Sequence, residues 1–179
     1  MLLEPVPPFL ASHYRVKLAV EPWEWAGSEQ LRRQVFCHEQ KIFVGSDRDA
    51  IDAGAIAIVA VTALAGTPND VIGTVRIHEV EPDVWQGSRL AVDRTYRGIG
   101  SLGPSLIQTA VGSARARGCV RFLAYVQAQN ETLFRRLHWQ RIDERVLHGV
   151  PHVFMQADLE HYPPVEATAG FLVMTRKAA

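Results

Sequence analysis

A chain of 179 residues, 47% of them apolar and 21% charged, suffices for one well-packed domain. Lys and Arg number 19, as do Asp and Glu, so the formal charge is zero and nothing favours nucleic acid or an anionic membrane as partner. Two cysteines exclude a small disulfide scaffold and fit a cytoplasmic setting, and an N-terminus with Glu4, Pro5, Pro7 and Pro8 lacks the basic start of a secretory signal.

In chain order, residues 1–13 read as an irregular arm, 14–161 as the domain and 162–179 as a C-terminal tail. Tyr14–Val20 alternates like an edge strand, and Pro22 opens a helix through Phe36. Residues 46–54 are acidic and turn-rich. Ala55–Leu64 and Val71–Val80 are strands joined by a turn at 65–70, the first too short and too β-branched for a membrane span, and Asp83–Val92 is a further strand. Gly103–Arg117 carries the strongest helical pattern: Leu102, Leu106, Ala110 and Ala114 form a stripe, Pro104 sits in the first turn and Gly118 lies past the end. Arg121–Gln127 is a buried strand, Asn130 caps a short helix to Leu137, and residues 142–147 and 152–159 close the domain as a strand pair.

Gly98-Ile-Gly100-Ser-Leu-Gly103 carries the most information. Closely spaced glycines let N–H groups turn around a phosphate, and the helix behind adds its positive end. The letters also match a dinucleotide fingerprint. In that fold, however, the first glycine follows the strand directly, whereas Asp93-Arg-Thr-Tyr-Arg97 intervenes here and no carboxylate ends the next strand. No Lys-Ser/Thr follows the glycines, which excludes a P-loop.

Arg97-Gly-Ile-Gly100 resembles the acyl-CoA loop of the GNAT acyltransferases, although Leu102 and Gly103 make the second half one residue longer. Over Tyr14–Leu159, six further blocks in order are similar to the GNAT branch that includes the ElaA-like proteins. They are Leu31-Arg-Arg-Gln-Val-Phe-Cys-His-Glu-Gln40, Asp47-x-Asp49-x-x-Asp52, Gly73-Thr-Val-Arg76, Arg89-Leu-Ala-Val92, Ala128-Gln-Asn130 and Pro151-His152-x-x-Met155. Within that branch the chain most resembles the acetyltransferase encoded beside a nitrilase and a radical-SAM protein in bacterial gene clusters. The first two blocks also resemble, more distantly, the acyl-homoserine-lactone synthases.

The resemblance implies an α/β (α+β) fold, a mixed, mostly antiparallel sheet of six or seven strands flanked by helices on both faces. It implies an N-acyltransferase, most simply an acetyltransferase, that moves the acyl group of acetyl-CoA or another acyl-CoA to a small amine by direct attack in a ternary complex, with no metal. The main chain of Leu90, Ala91 and Val92 would bond the pantetheine arm. Arg97, Gly98, Ile99, Gly100, Ser101, Leu102 and Gly103 would hold the pyrophosphate, and Asn130 and Phe134 would flank the cofactor. Phe134 stands where many members carry an acid tyrosine, and a phenyl ring donates no proton. His138 and Tyr125 are the substitutes to weigh.

The usual base position falls at Gly87, which leaves His78 and Glu79 as the nearest titratable candidates. Arg76 and Arg89 sit in apolar strands. Either they pair with Asp47, Asp49 and Asp52, or with Cys37 they face a carboxylate-bearing substrate. Metal spacings fail: Gly149 and Pro151 forbid the helix that His148 and His152 would need. Two alternatives stay open, a non-catalytic acyl-CoA-binding module and a nucleotide-dependent oxidoreductase. The sequence names neither the amine nor the acyl length, and leaves a homodimer open.

Overall fold

The hydrophobic patterns of the strands assemble one sheet. A computed structural model describes residues 11, 13–64, 67–168 and 170–174. In chain order these form β1 (His13–Leu18), α1 (Pro22–Arg32), β2 (Ile56–Leu64), β3 (Thr67–Glu81), β4 (Val84–Val92), α2 (Leu102–Arg115), β5 (Arg121–Gln127), α3 (Glu131–Arg136), β6 (Trp139–Leu147), β7 (Val150–Ala157) and β8 (Phe171–Met174). The eight strands lie in the order β6-β7-β5-β4-β3-β2-β1-β8. Every pairing is antiparallel except β4 with β5.

Adjacent residues of β3 show which helix covers which face. A Cβ on Gly73 would lie 2.8 Å from Leu106 of α2, whereas the Thr74 hydroxyl meets the Ser28 hydroxyl of α1 at 2.7 Å. The period-two alternation of a strand therefore puts α2 on one face and α1 on the other. Ile58, Ile77, Leu102, Leu106, Val111 and Met155, all wholly buried, form the α2-side core. Burial of each stabilises the fold by roughly 1.5–3 kcal/mol. At the start of α1, Glu24 and Glu21 close a capping box and Lys17 of β1 pairs with Glu24. Past Arg32 the helix continues in π turns from Arg33 to Glu39.

The structure corrects four expectations. β1 is an interior strand between β2 and β8, and β8 raises the sheet to eight strands. The stretch read as a tail supplies that strand and packs closely: Arg115 donates to the Leu159 and Tyr162 carbonyls at 2.8 and 2.7 Å, and Ala167 is wholly buried. β3 also begins at Thr67, inside the expected turn, of which residues 65 and 66 lie outside the described ones. So do residues 1–10 and 12 of the expected arm. Among the described residues no helix is long and apolar enough to cross a membrane.

Candidate functional site

The central feature is an interruption of the sheet. β4 and β5 pair in parallel from Val84↔Arg121 to Gly87↔Ala124, and there the pairing stops. Beyond that point the β5-facing edge of β4 borders a cleft instead of a strand. A bulge accompanies the parting: two residues of β4, Arg89 and Leu90, oppose the single Val75 of β3, and Arg89 takes a left-handed backbone with φ of +56°. The bulge resets the alternation, so Ser88 and Arg89 both face the α1 side while Leu90 packs into the α2-side core.

A cavity of about 280 Å³ passes through this opening. On the α2 side its wall includes Ile107, Val111, Phe122, Phe134 and Trp139; on the α1 side it includes Gln40, Phe43, Arg76, Arg89, Tyr125 and His152. The β6–β7 hairpin reaches over the α1 side. Its two-residue turn, His148-Gly149, has φ of +50° and +74°, and the His148 ring lies 4.7 Å from that of Phe43.

At the mouth of the cleft the chain runs from β4 through Asp93, whose carboxylate accepts from the Thr95 N–H at 2.8 Å, into the glycine loop and α2. Gly98, Gly100 and Gly103 keep ordinary backbone angles, and nothing lies within 4 Å of where their Cβ atoms would sit. Here glycine contributes open space over the backbone rather than a rare conformation. Among the described residues the N–H groups of Gly98, Gly100, Ser101 and Gly103 find no acceptor, while those of Arg97, Ile99 and Leu102 donate within the loop. Of the seven positions expected to hold a pyrophosphate, four thus offer a main-chain donor. Open space, four donors at one helix start and the positive end of a 14-residue helix suit a diphosphate.

Arg97 reaches away from these donors. Its Nε donates to the Val92 carbonyl at 3.0 Å and its Nη2 to Glu39 at 2.6 Å. Glu39 partly neutralises the charge that this half-exposed arginine adds to the loop, and a surface pair of this kind is worth only about 0.2–1 kcal/mol. Glu39→Gln is therefore expected to tighten CoA binding by a few-fold in a titration calorimeter; weaker binding would show that Glu39 organises the loop instead.

The α1 side holds a neutral network of three arginines and three aspartates. Asp47 accepts from Arg32 Nε at 2.8 Å and Arg89 Nε at 2.9 Å. Arg76 forks onto Asp49 at 2.6 and 3.1 Å and donates from Nε to Ser88 at 3.0 Å, and Asp52 bridges Arg32 and Arg76 at 2.7 and 3.0 Å. Burial alone would raise the carboxyls of Asp49 and Asp52. Hydrogen bonds and charge from Arg76 on Asp49, and from Arg32 on Asp52, hold both below the usual carboxylate range. Arg76 and Arg89 thus stand on the cavity wall with aspartate partners already in place.

The structure brings Arg76, Arg89, Leu90, Asn130 and Phe134 to one cavity, the two arginines on its α1 side and Leu90 and Phe134 on its α2 side, but leaves other candidates, residues 97–103 among them, outside its lining. His78 pairs with Gln86 on the closed side of the parting; burial and then the charge of Arg76 lower its pKa. Glu79 accepts the Asp83 N–H at 2.8 Å and so closes the β3–β4 turn. Cys37 lies on the π-turn segment between Phe36 and Gln40-side contacts without reaching the wall. Ala91 packs under α1 and Val92 against the α2-side core, so they can contribute only main chain. His138 stacks on His161 at 3.6 Å, away from the cavity, while Tyr125 is on the wall, stacked on Phe154 at 4.5 Å.

Sequence reasoning gave Phe43 and Gln127 no role, met Arg32 and Gln40 only as letters of a family block, and weighed His152 only as part of a motif and as a metal ligand. The Gln40–Gln127 bond of 2.9 Å spans the cavity mouth. His152 Nδ1 lies 2.8 Å from the Val150 carbonyl, which can only accept, so Nδ1 is the donor and Nε2 takes no part in that bond.

A parted parallel strand pair under a helix N-terminus, fed by a glycine loop, defines a class of acyl-CoA-using folds. The Acetyltransferase (GNAT) family model matches residues 17–139, and the chain belongs to that family. This ends the oxidoreductase alternative. Solved structures share the fold. A candidate N-acetyltransferase from Lactobacillus plantarum is 20% identical with a TM-score of 0.71, covering 80% of this chain and 97% of its own. ElaA from Escherichia coli is 17% identical with a TM-score of 0.67, covering 81% and 98%. An acyl-CoA N-acyltransferase from Pseudomonas aeruginosa is 17% identical with a TM-score of 0.62, covering 80% and 98%. Among curated proteins none matches the chain in sequence.

Proposed function

We propose that this protein transfers an acyl group from acyl-CoA to the nitrogen of a small amine. The observation that carries the reading is the cleft that opens past Gly87 and Ala124, along the strand that leads into the donor-rich loop. The diphosphate sits on the N–H groups of Gly98, Gly100, Ser101 and Gly103, and the pantetheine arm runs down the freed edge of β4. The amine enters from the polar α1 side. Its nitrogen attacks the thioester carbon, the C–N bond forms and the C–S bond breaks. The amine proton passes to His152 Nε2, and the departing thiolate takes a proton from the Tyr125 hydroxyl, since Phe134 has none to give.

The test is thiol release from acyl-CoA in the presence of a panel of amines, compared between the wild type and His152→Gln. The wild type should release thiol with at least one amine, and the variant should lose on the order of a hundredfold in kcat with a far smaller change in CoA affinity. Equal rates would remove His152 from the mechanism. Phe134 favours one rival, a non-catalytic acyl-CoA-binding module; tight CoA binding with no release on any amine would select it.

A further inference from the structure

The two walls of the cavity differ in chemistry. The α1 side mixes charged and hydrogen-bonding groups, among them Arg76, Arg89 and His152, with apolar ones such as Phe43 and Ile51. The α2 side presents Val75, Ile107, Val111, Phe122, Phe134 and Trp139, all part of the main core cluster or packed within it. Apart from Asn130 at the start of α3, no polar side chain joins them on that side, because Phe122, Ala124 and Val126 alternate inward on β5 while Tyr125 and Gln127 point the other way. A polar ligand that enters there exchanges water for nothing; a hydrocarbon gains by leaving water.

From this asymmetry we infer that the acyl donor is a CoA thioester of a medium-length straight hydrocarbon chain, with the chain housed against the α2-side wall. This rests on the acyltransferase reading above and departs from its simplest form, acetyl transfer. The amine attacks one face of the planar thioester, which leaves the acyl chain in the carbonyl plane and able to turn toward the apolar wall, where the rings of Phe122 and Trp139 lie 5.8 Å apart, centroid to centroid, edge to face. The cavity equals several water volumes of about 30 Å³ each, and an acetyl group places a single methyl against it. The chain passes intact into the amide product while CoA leaves as the thiol, so atoms and protons balance as for acetyl.

The test measures equilibrium binding of CoA and of acetyl-, butanoyl-, hexanoyl-, octanoyl- and dodecanoyl-CoA to the whole protein, with the series repeated on Val111→Phe. Affinity should rise by about fourfold per methylene, the factor matching ~0.8 kcal/mol of burial, until the wall is filled, and then level off. In Val111→Phe the levelling should come at a shorter chain. Should the variant fail to fold, the wild-type series decides alone. Equal affinity for acetyl- and octanoyl-CoA, alongside firm CoA binding, overturns the inference and leaves the acyltransferase reading standing. A rise that never levels through dodecanoyl marks adsorption rather than a pocket and also overturns it. Absence of binding by CoA and every thioester overturns the acyltransferase reading, and this inference with it.

Discussion

Gly100→Glu is expected to abolish CoA binding and to leave the protein folded. Gly100 is exposed, has no neighbour within 4 Å of its Cβ direction and keeps an ordinary backbone angle, so a glutamate fits without strain. What it adds is a negative charge where the account seats a diphosphate. Like charges juxtaposed at a binding surface cost several kcal/mol, a loss in affinity on the order of a hundredfold or more. Calorimetric titration measures the affinity, and the thermal midpoint without ligand reports the fold. Gly100→Gln separates charge from bulk and should retain much more affinity. CoA binding that survives Gly100→Glu would place the diphosphate elsewhere.

Arg76→Ala destabilises the protein by about 3 kcal/mol, or roughly 6–12 °C in thermal midpoint. Arg76 is buried and ties Asp49, Asp52 and Ser88 together, so its loss strands two carboxylates. The figure sits at the lower end for a broken buried pair because Asp52 keeps Arg32 and the partly solvated Asp49 keeps Arg89. The network also sets an acid limit. The carboxyls of Asp49 and Asp52 titrate below their unfolded value of about 3.9, so the stability they contribute is present above that pH and lost as pH falls through their folded values. Arg76 accounts for part of that depression, so the variant should lose less further stability than the wild type between pH 5 and pH 2 (about the span over which such carboxylates protonate). Arg76→Lys, which keeps the charge and loses the fork, should fall between the two. A variant as stable as the wild type would mean that the network is dispensable to the fold.

Much of the fold was legible because local rules and tertiary packing agree. Pro104 and Gly118 mark the two ends of a helix that begins at Leu102 and ends at Arg115, and the apolar run at Arg121–Gln127 is the strand that follows it. The alternation that put Arg76 and His78 on one face of β3 also holds. It misplaced His78 in function because β4 lies between β3 and the cleft, and because the strands part only past Gly87, one rung beyond His78's partner Gln86. No pattern in Ser88-Arg-Leu-Ala-Val92 announces the bulge: an arginine at positive φ carries no composition signal, and a bulge that shifts the alternation redirects every side chain after it. Arg32 was hidden for a related reason, since on helical spacing it reads as an ordinary solvated arginine until Asp47 and Asp52 fold across it. His148 and His152 were weighed on helical spacing and set aside, yet both reach the cavity because a two-residue turn folds β7 back along β6. The stretch from Tyr162 looked like a tail because prolines and alanines dominate its start, while the strand that follows gains its partner from β1 at the other end of the chain.

The most direct measurement is a crystal structure of the protein with CoA bound. The diphosphate is expected within hydrogen-bonding distance of the Gly98, Gly100, Ser101 and Gly103 N–H groups, with the sulfur in the gap between β4 and β5. Density for the nucleotide at any other surface, or β4 and β5 paired along their whole length, would contradict it.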